Sequence, residues 1–128
     1  MSRERAMDWL HQAEDDFRWA EDSLKSKHYY GVCFLAQQIA EKALKAVSFY
    51  RAFDQVRSHS VLSICMALKI NGDLEKKARI LDQYYISTRY PDGLPGGHAG
   101  MFYTEEQATE ALQNAAKFLD FANQELKV

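Results

Sequence analysis

Arg89-Tyr-Pro-Asp-Gly-Leu-Pro-Gly-Gly-His-Ala-Gly-Met-Phe102 is the stretch of this sequence in which helical patterns stop. It contains both prolines and four of the six glycines of the chain. Proline lacks a backbone N–H and glycine has excess backbone freedom, so both residues break helices. A chain that concentrates its helix breakers in one place is predicted to be helical on both sides of a single long loop.

The segment after the loop has the clearest helix start. Thr104-Glu-Glu-Gln107 fits a capping box, and its two glutamates suit the positive end of a helix dipole. Apolar residues then recur every three or four positions, as expected for the seam of a helical bundle. They are Leu112, Ala115, Leu119, Ala122 and Leu126.

Four more helical segments precede the loop. The first has the apolar stripe of one buried face, the second runs from about 29 to 53, and the third runs from about 58 to 69 with Ser58 as a plausible N-cap. The fourth has Asp73 as a candidate cap and should end near Thr88, because Pro91 biases Tyr90 away from helical geometry. We therefore predict one all-α domain over residues 1–128, an up-and-down antiparallel bundle of four long helices and one short helix. The stripe of the first helix is Trp9, Ala13, Phe17, Ala20 and Leu24.

Composition excludes several classes of protein. At 128 residues and 47% hydrophobic, the chain can bury one core, and it has no apolar run long enough to span a bilayer. The N-terminal residues lack the apolar stretch of a signal peptide, so we expect a cytoplasmic protein with no membrane association. Cys33 and Cys65 have no metal-ligand spacing and are predicted to be buried thiols. We expect no metal and no cofactor.

The net charge of −2 is unevenly distributed. Residues 27–89 carry ten basic and five acidic side chains, whereas both ends of the chain are acidic. A basic middle could form a positive face that attracts phosphates, or the charges could simply be solvated on several helix faces.

Common catalytic motifs are absent. The sequence has no Walker loop, no G-x-S-x-G and no H-E-x-x-H. His11-Gln-Ala-Glu14 has the reverse order of the Glu-x-x-His pair of a di-iron bundle.

Three local groups of residues remain as candidate sites. On the second helix, Gln38, Glu41 and Lys45 share one face while Lys42 points to its side; the lysines could contact a phosphate, or Glu41–Lys45 could be an ordinary surface pair. His59, near the start of the third helix, could be structural or active. The third group lies in and beside the loop and consists of Arg89, Asp92 and His98.

Each member of the loop group has a structural alternative. Arginine suits bidentate phosphate contacts and histidine suits proton transfer. An Arg89–Asp92 pair could equally be a clamp that fixes the loop.

Two sequence elements together resemble the HEPN domain, the family named for higher eukaryote and prokaryote nucleotide binding. They are Gln37-Gln-Ile-Ala-Glu-Lys-Ala-Leu-Lys45, followed by His59, and Tyr-Ile-Ser-Thr-Arg89-Tyr-Pro-Asp92 before a long last helix. The resemblance implies a helical bundle, commonly homodimeric, that often stands beside a minimal nucleotidyltransferase in a toxin–antitoxin-like pair. Many members are metal-independent endoribonucleases with an R-x(4–6)-H motif, and others bind nucleotides or protein partners.

The sequence departs from the ribonuclease motif. Eight residues separate Arg89 from His98, and they form a Gly/Pro loop. A literal match at Arg5–His11 lies on the first helix, in the wrong part of the fold.

The leading hypothesis is therefore a dimeric binding module for a nucleotide, an RNA phosphate or a nucleotidyltransferase partner. Its alternatives are a metal-independent endoribonuclease that uses Arg89 and His98, and a structural dimer whose interface is formed by the seams of the first and last helices. The residues assigned to phosphate binding are Arg89, Asp92, Lys42, Lys45 and His59.

Overall fold

The computed structural model describes residues 2–53 and 57–127, and of Ser2 and Arg3 only the backbone. Every regular element in these two ranges is helical, so the predicted all-α fold is confirmed. The α-helices are α1 (Ser2–Lys25), α2 (Tyr29–Tyr50), α3 (Val61–Ala67), α4 (Asp73–Asp82), α5 (Tyr84–Ser87) and α6 (Glu105–Leu126). Two 3₁₀ turns, Pro91–Gly93 and Ala99–Met101, lie in the loop before α6.

The long helices alternate in direction. Residues early in α1 contact residues late in α2, residues early in α2 contact the end of α4 and the segment just after α5, and the start of α5 contacts the segment just before α6. The bundle is therefore up, down, up and down, with α3 in the connection between α2 and α4, as predicted. The contacts that show these directions are Trp9–Phe49, Asp16–Lys42, Gln37–Asp82, Phe34–Arg89 and Tyr84–Tyr103.

Small residues let the central helices approach closely. α2 buries a row of alanines and packs against both α1 and α6, and α6 buries four alanines beside Phe118. The apolar seam predicted for α6 is buried within the chain's own core, which includes Leu112, Leu119 and Leu126. Cys33 and Cys65 are buried free thiols, as predicted.

The start of α3 differs from its prediction. Ser60, not Ser58, is the N-cap, and its Oγ accepts a hydrogen bond from the Ser63 N–H (3.0 Å). Asp82 completes this cap from α4, because its carboxylate accepts from the N–H groups of Val61 (2.8 Å) and Leu62 (3.0 Å). Only the part of the cap that Asp82 supplies comes from a distant segment, and that part cannot be recognised in the local sequence.

The other helix ends follow the sequence more closely. The capping box at Thr104 is present, with both of its reciprocal hydrogen bonds. The fourth predicted helix ends near Thr88 but is interrupted at Gln83, which separates α4 from α5. Gly72, not Asp73, is the N-cap of α4. None of the described helices is long and apolar enough to cross a membrane.

Candidate functional site

The predicted face of α2 carries a buried pair of opposite charges. The Glu41 carboxylate accepts a hydrogen bond from Lys45 Nζ (2.7 Å), and the two side chains are only 5% and 10% exposed. Gln38 Nε2 donates to the other carboxylate oxygen of Glu41 (3.3 Å). Because charges are costly to remove from water, such a pair persists only where both partners are satisfied. Glu41–Lys45 is therefore not the surface pair that its i,i+4 spacing also allowed.

His59 extends this charged pair to the surface. Its Nδ1 lies 3.1 Å from Glu41 Oε2, and since a carboxylate only accepts, this nitrogen carries the proton that is donated. The imidazole is 62% exposed although its carboxylate partner is buried. Gln37 Nε2 donates to the backbone carbonyl of His59 (2.7 Å), which holds the segment before α3 against α2. The exposed imidazole is thus oriented by a buried carboxylate.

Tyr85 connects His59 with the predicted loop group. The imidazole stacks on the Tyr85 ring at a centroid separation of 5.6 Å. The Arg89 guanidinium lies 4.4 Å from the centroid of the same ring. His59 and Arg89, far apart in sequence, therefore share one aromatic neighbour.

Arg89 is held by its neighbours but is not neutralised by them. Its guanidinium carbon lies 4.9 Å from the Phe34 ring centroid and 5.1 Å from that of Tyr90, and its Nε donates to the Tyr85 carbonyl (2.8 Å). Within residues 2–53 and 57–127, no carboxylate pairs with it. Ring contacts and the Nε bond orient the guanidinium, so its terminal nitrogens remain available for an anion.

Lys42 points away from Glu41, His59 and Arg89. Its Nζ pairs with Asp16 on α1, a buried carboxylate that also accepts from Gln12 (3.1 Å). The sequence placed Lys42 to the side of the Gln38–Glu41–Lys45 face, and the structure agrees. Lys42 thus stabilises the α1–α2 interface.

Asp92 and His98 are exposed on the loop. Asp92 lies in the first 3₁₀ turn, which is closed by hydrogen bonds between backbone groups. His98 precedes the second 3₁₀ turn and accepts there from the Met101 N–H through its backbone carbonyl (3.0 Å). No ion pair, hydrogen bond or ring contact between described residues joins either side chain to Arg89.

Glycine brings the loop close to α5. A Cβ at Gly93 would lie 3.0 Å from the Ser87 Cα, a closer approach than in nine of ten Cβ contacts in proteins. The turn after Arg89 therefore packs directly on the backbone of α5, the helix that carries Tyr85 and precedes Arg89. This contact, and not an Arg89–Asp92 pair, positions the turn.

At the other end of the α2 face, Lys45 contacts an aromatic residue of α1. Its Nζ lies 5.4 Å from the Trp9 ring centroid. Trp9 also lines an open depression of about 310 Å³ together with Arg5, Asp8 and Gln12. These contacts form a continuous cluster across one side of the bundle, which consists of Arg89, Tyr85, His59, Glu41, Lys45 and Trp9.

Sequence reasoning missed the central role of Glu41 and the aromatic residues Tyr85 and Trp9. One signal could have revealed Glu41. The stretch from Val32 to Ser48 has only three charged residues, and a helix that is apolar on all sides is buried, so its charges must be buried and paired. No local signal links Tyr85 to His59 or Trp9 to Lys45, because both contacts join distant segments of the chain.

The arrangement combines an oriented cation with an oriented imidazole. A guanidinium free of carboxylates can bind a phosphate through two parallel hydrogen bonds. An imidazole whose Nδ1 is held by a carboxylate presents Nε2 for proton transfer. No group of three or more His, Cys, Asp and Glu side chains in the described part of the chain is arranged to hold a metal ion.

Three comparisons place this bundle among known proteins. The sequence model of the HEPN domain matches residues 6–126. A protein of Methanocaldococcus jannaschii named "Putative toxin MJ1304" is 28% identical over 131 residues, which cover 93% of this chain and 86% of that protein.

Two crystal structures have the same fold over nearly the whole chain. TT1696 from Thermus thermophilus is 41% identical with a TM-score of 0.89, covering 98% of this chain and 99% of that one. ST0689, described as an archaeal HEPN homologue, is 30% identical with a TM-score of 0.80 and the same coverage.

Proposed function

Because this chain belongs to the HEPN domain family, we propose that it binds the phosphate group of a nucleotide or an RNA, with Arg89 as the phosphate contact. One observation carries the proposal. Arg89 is oriented by three aromatic rings and a backbone carbonyl, yet no carboxylate among residues 2–53 and 57–127 neutralises it. An oriented and uncompensated guanidinium at the surface is suited to an anionic ligand.

His59 and Lys45 have different roles in this proposal. His59, exposed beside the same tyrosine, places its imidazole next to the bound phosphate. Lys45 acts through Glu41, since its ammonium is already bound to that carboxylate. Asp92, exposed in the first 3₁₀ turn, has no phosphate contact in this proposal, and Lys42 supports α1 against α2.

The name of the M. jannaschii protein, "Putative toxin MJ1304", supports a toxin-like role. The resemblance noted in the sequence implies a nucleotidyltransferase partner. We therefore extend the proposal to a homodimeric, toxin-like component that pairs with such a partner. This extension is tested by purifying the chain together with the product of a neighbouring nucleotidyltransferase gene. The two proteins should elute as one complex, and separate elution would contradict the extension.

Direct titration tests phosphate binding. Wild type, Arg89→Lys and Arg89→Ala are titrated with ATP and with a short single-stranded RNA by calorimetry. Hydrogen bonds to charged groups contribute about 1.5–3 kcal/mol, so Arg89→Ala should weaken binding by about tenfold or more. Arg89→Lys should also weaken it, because lysine lacks the planar donor pair.

Arg79→Ala is the matched control. Arg79 is an exposed arginine on α4 that pairs with Glu75 of the same helix. Its removal lowers the net charge equally but should leave affinity almost unchanged. Equal losses for the two variants would show that only net charge matters, and no binding by folded wild type would refute the proposal.

The Glu41–His59 contact favours a second candidate function, metal-independent RNA cleavage. Nε2 of neutral His59 would accept the proton of a ribose 2′-OH as that oxygen attacks the adjacent phosphorus. The bond from phosphorus to the 5′-oxygen breaks, this oxygen takes a proton from water, and Arg89 stabilises the charge on the phosphate. His59 fits this role better than His98, because a buried carboxylate orients it and it shares Tyr85 with Arg89.

Cleavage of a labelled RNA pool in EDTA tests this candidate. If it holds, Arg89→Ala and His59→Ala each lower the rate about 100-fold or more, and His98→Ala leaves it nearly unchanged. Loss of cleavage in His98→Ala alone would instead support the pairing suggested by the sequence. No cleavage by wild type would leave phosphate binding without catalysis.

A further inference from the structure

Trp9 lies at the end of the α2 face opposite to Arg89. Its ring stacks on Phe49 with a centroid separation of 5.9 Å and an interplanar angle of 18°. The Lys45 ammonium lies 5.4 Å from the centroid of the same ring. Two residues of α2 therefore hold the indole in place from the side of the core.

Trp9 is itself a residue of α1, and its side chain is only partly buried. It lines the depression of about 310 Å³ that Arg5, Asp8 and Gln12 complete. Aromatic side chains are platforms on which unpaired nucleobases stack, because every base has a π-face. A packed indole at the wall of an open depression has the geometry of such a platform.

Polar groups around the depression can contact the edge of a base. Arg5 and Asp8 form an exposed pair (2.8 Å), and Gln12 donates to Asp16 through Nε2 (3.1 Å). The amide oxygen of Gln12 remains an acceptor beside the indole. Amide, carboxylate and guanidinium groups are the side-chain groups that proteins use to hydrogen-bond base edges.

The distance between Trp9 and Arg89 determines the kind of ligand. Arg89 contacts Phe34, and Trp9 contacts Lys45. The helical rise of about 1.5 Å per residue separates these two positions of α2 by about 16 Å. At the rise of about 3.4 Å per nucleotide of a stacked strand, this corresponds to about five nucleotides. A mononucleotide cannot reach both ends, whereas a short strand can.

We propose that the depression at Trp9 is a nucleobase subsite for a single-stranded RNA of several nucleotides whose phosphate binds Arg89. The inference rests on the proposed phosphate binding and deepens it by naming the ligand as an oligonucleotide. The strand crosses the bundle over His59, and the Glu41–Lys45 pair beneath it adds no net charge.

Tryptophan fluorescence tests the subsite directly. The chain has two tryptophans, and Trp19 is 61% exposed, so Trp19→Phe leaves Trp9 as the sole reporter with little effect on the fold. This variant is titrated with a six-nucleotide oligoadenylate, with AMP, and with an abasic ribose-phosphate strand of equal length. The hexanucleotide should change the emission of Trp9 at concentrations at which AMP does not, and the abasic strand should bind without changing it.

Affinity measurements provide an independent test. Trp9→Ala should weaken binding of the hexanucleotide about fivefold or more, since stacking on one aromatic side chain has this effect. It should leave binding of the abasic strand unchanged. Trp19→Ala is the matched control and should bind both strands as wild type does. If Trp9→Ala does not fold, the fluorescence titration still decides the question.

The two proposals fail in different ways. Arg89-dependent binding of the hexanucleotide with no change in Trp9 emission would overturn the subsite and leave phosphate binding intact. No binding of either strand by folded wild type would overturn phosphate binding, and the subsite with it.

Discussion

Glu41→Gln tests whether the charged pair at the centre of the site is buried in solution. The substitution keeps the shape of the side chain but removes its negative charge. Lys45, whose side chain is 10% exposed, then loses its charged partner. Breaking a buried pair in this way costs about 3–5 kcal/mol, because the remaining charge is uncompensated. Since the glutamine amide oxygen still accepts one hydrogen bond, we expect a loss near the lower end, about 3 kcal/mol.

A double substitution separates the charge effect from a packing effect. Glu41→Leu with Lys45→Met removes both charges and fills the same space with apolar groups. Replacing a whole buried pair in this way is often neutral or stabilising. The double variant should therefore be at least about 2 kcal/mol more stable than Glu41→Gln alone.

Glu75→Gln is the matched control on the surface. Glu75 and Arg79 have the same i,i+4 spacing at 3.4 Å, but the Arg79 side chain is 60% exposed. Exposed pairs contribute about 0–1 kcal/mol, so this variant should be almost as stable as wild type.

Urea unfolding followed by circular dichroism gives the free energies, with all variants at one protein concentration so that any self-association affects them equally. Equal losses for Glu41→Gln and Glu75→Gln would refute the burial of the pair. A double variant as unstable as Glu41→Gln would show that packing, not charge, decides the cost.

Two further predictions concern the loop and the core. Gly93→Ala places a Cβ against the Ser87 backbone, which should destabilise the protein by about 1–3 kcal/mol and weaken phosphate binding by displacing Arg89. Gly96→Ala, whose Cβ would meet nothing within 4 Å, is the control in urea unfolding and in the phosphate titration. Burial raises the pKa of Cys33 and of Cys65 from 9.0 to about 12. The folded state therefore keeps thiol protons that the unfolded state loses above pH 9, so the free energy of unfolding should be unaffected below that pH and fall between about pH 9 and 12. Urea midpoints at pH 8 and pH 10 measure this fall. A thiol reagent at pH 8 should modify both cysteines only after unfolding, and rapid labelling of the folded protein would contradict the burial of the thiols.

Features that depend on near neighbours in sequence were predictable. The stripes of α1 and α6 repeat every three or four residues, and the capping box at Thr104 involves residues three apart. Proline and glycine act on their own backbone, which is why the loop was visible and why the fourth helix ends near Thr88. Arg89 was recognised as a candidate for the same reason, since it stands at the end of a helix and the start of that loop.

Features that depend on contacts between distant segments were not predictable. The caps of α3 and α4 were misassigned; at α3 the sequence has serines at both 58 and 60, and the hydrogen bonds to Asp82 on another helix, which support a start at Val61, are not visible locally. The α2 residues Glu41 and Lys45 could equally have formed an exposed pair, because spacing along one helix does not show which face its neighbours cover. His59 was a candidate, but its partner carboxylate and its stacking on Tyr85 come from two other helices.

Local sequence thus specifies where helices start, stop and break, since backbone preferences and capping act over a few residues. It also specifies that the long helices pair through apolar stripes into an all-helical bundle. Which polar residues become a site depends on the tertiary packing. That packing buries Glu41 and Lys45, sets His59 and Arg89 against Tyr85 and leaves Trp9 open to a depression, because only the assembled helices determine which side chains lose water and which keep it.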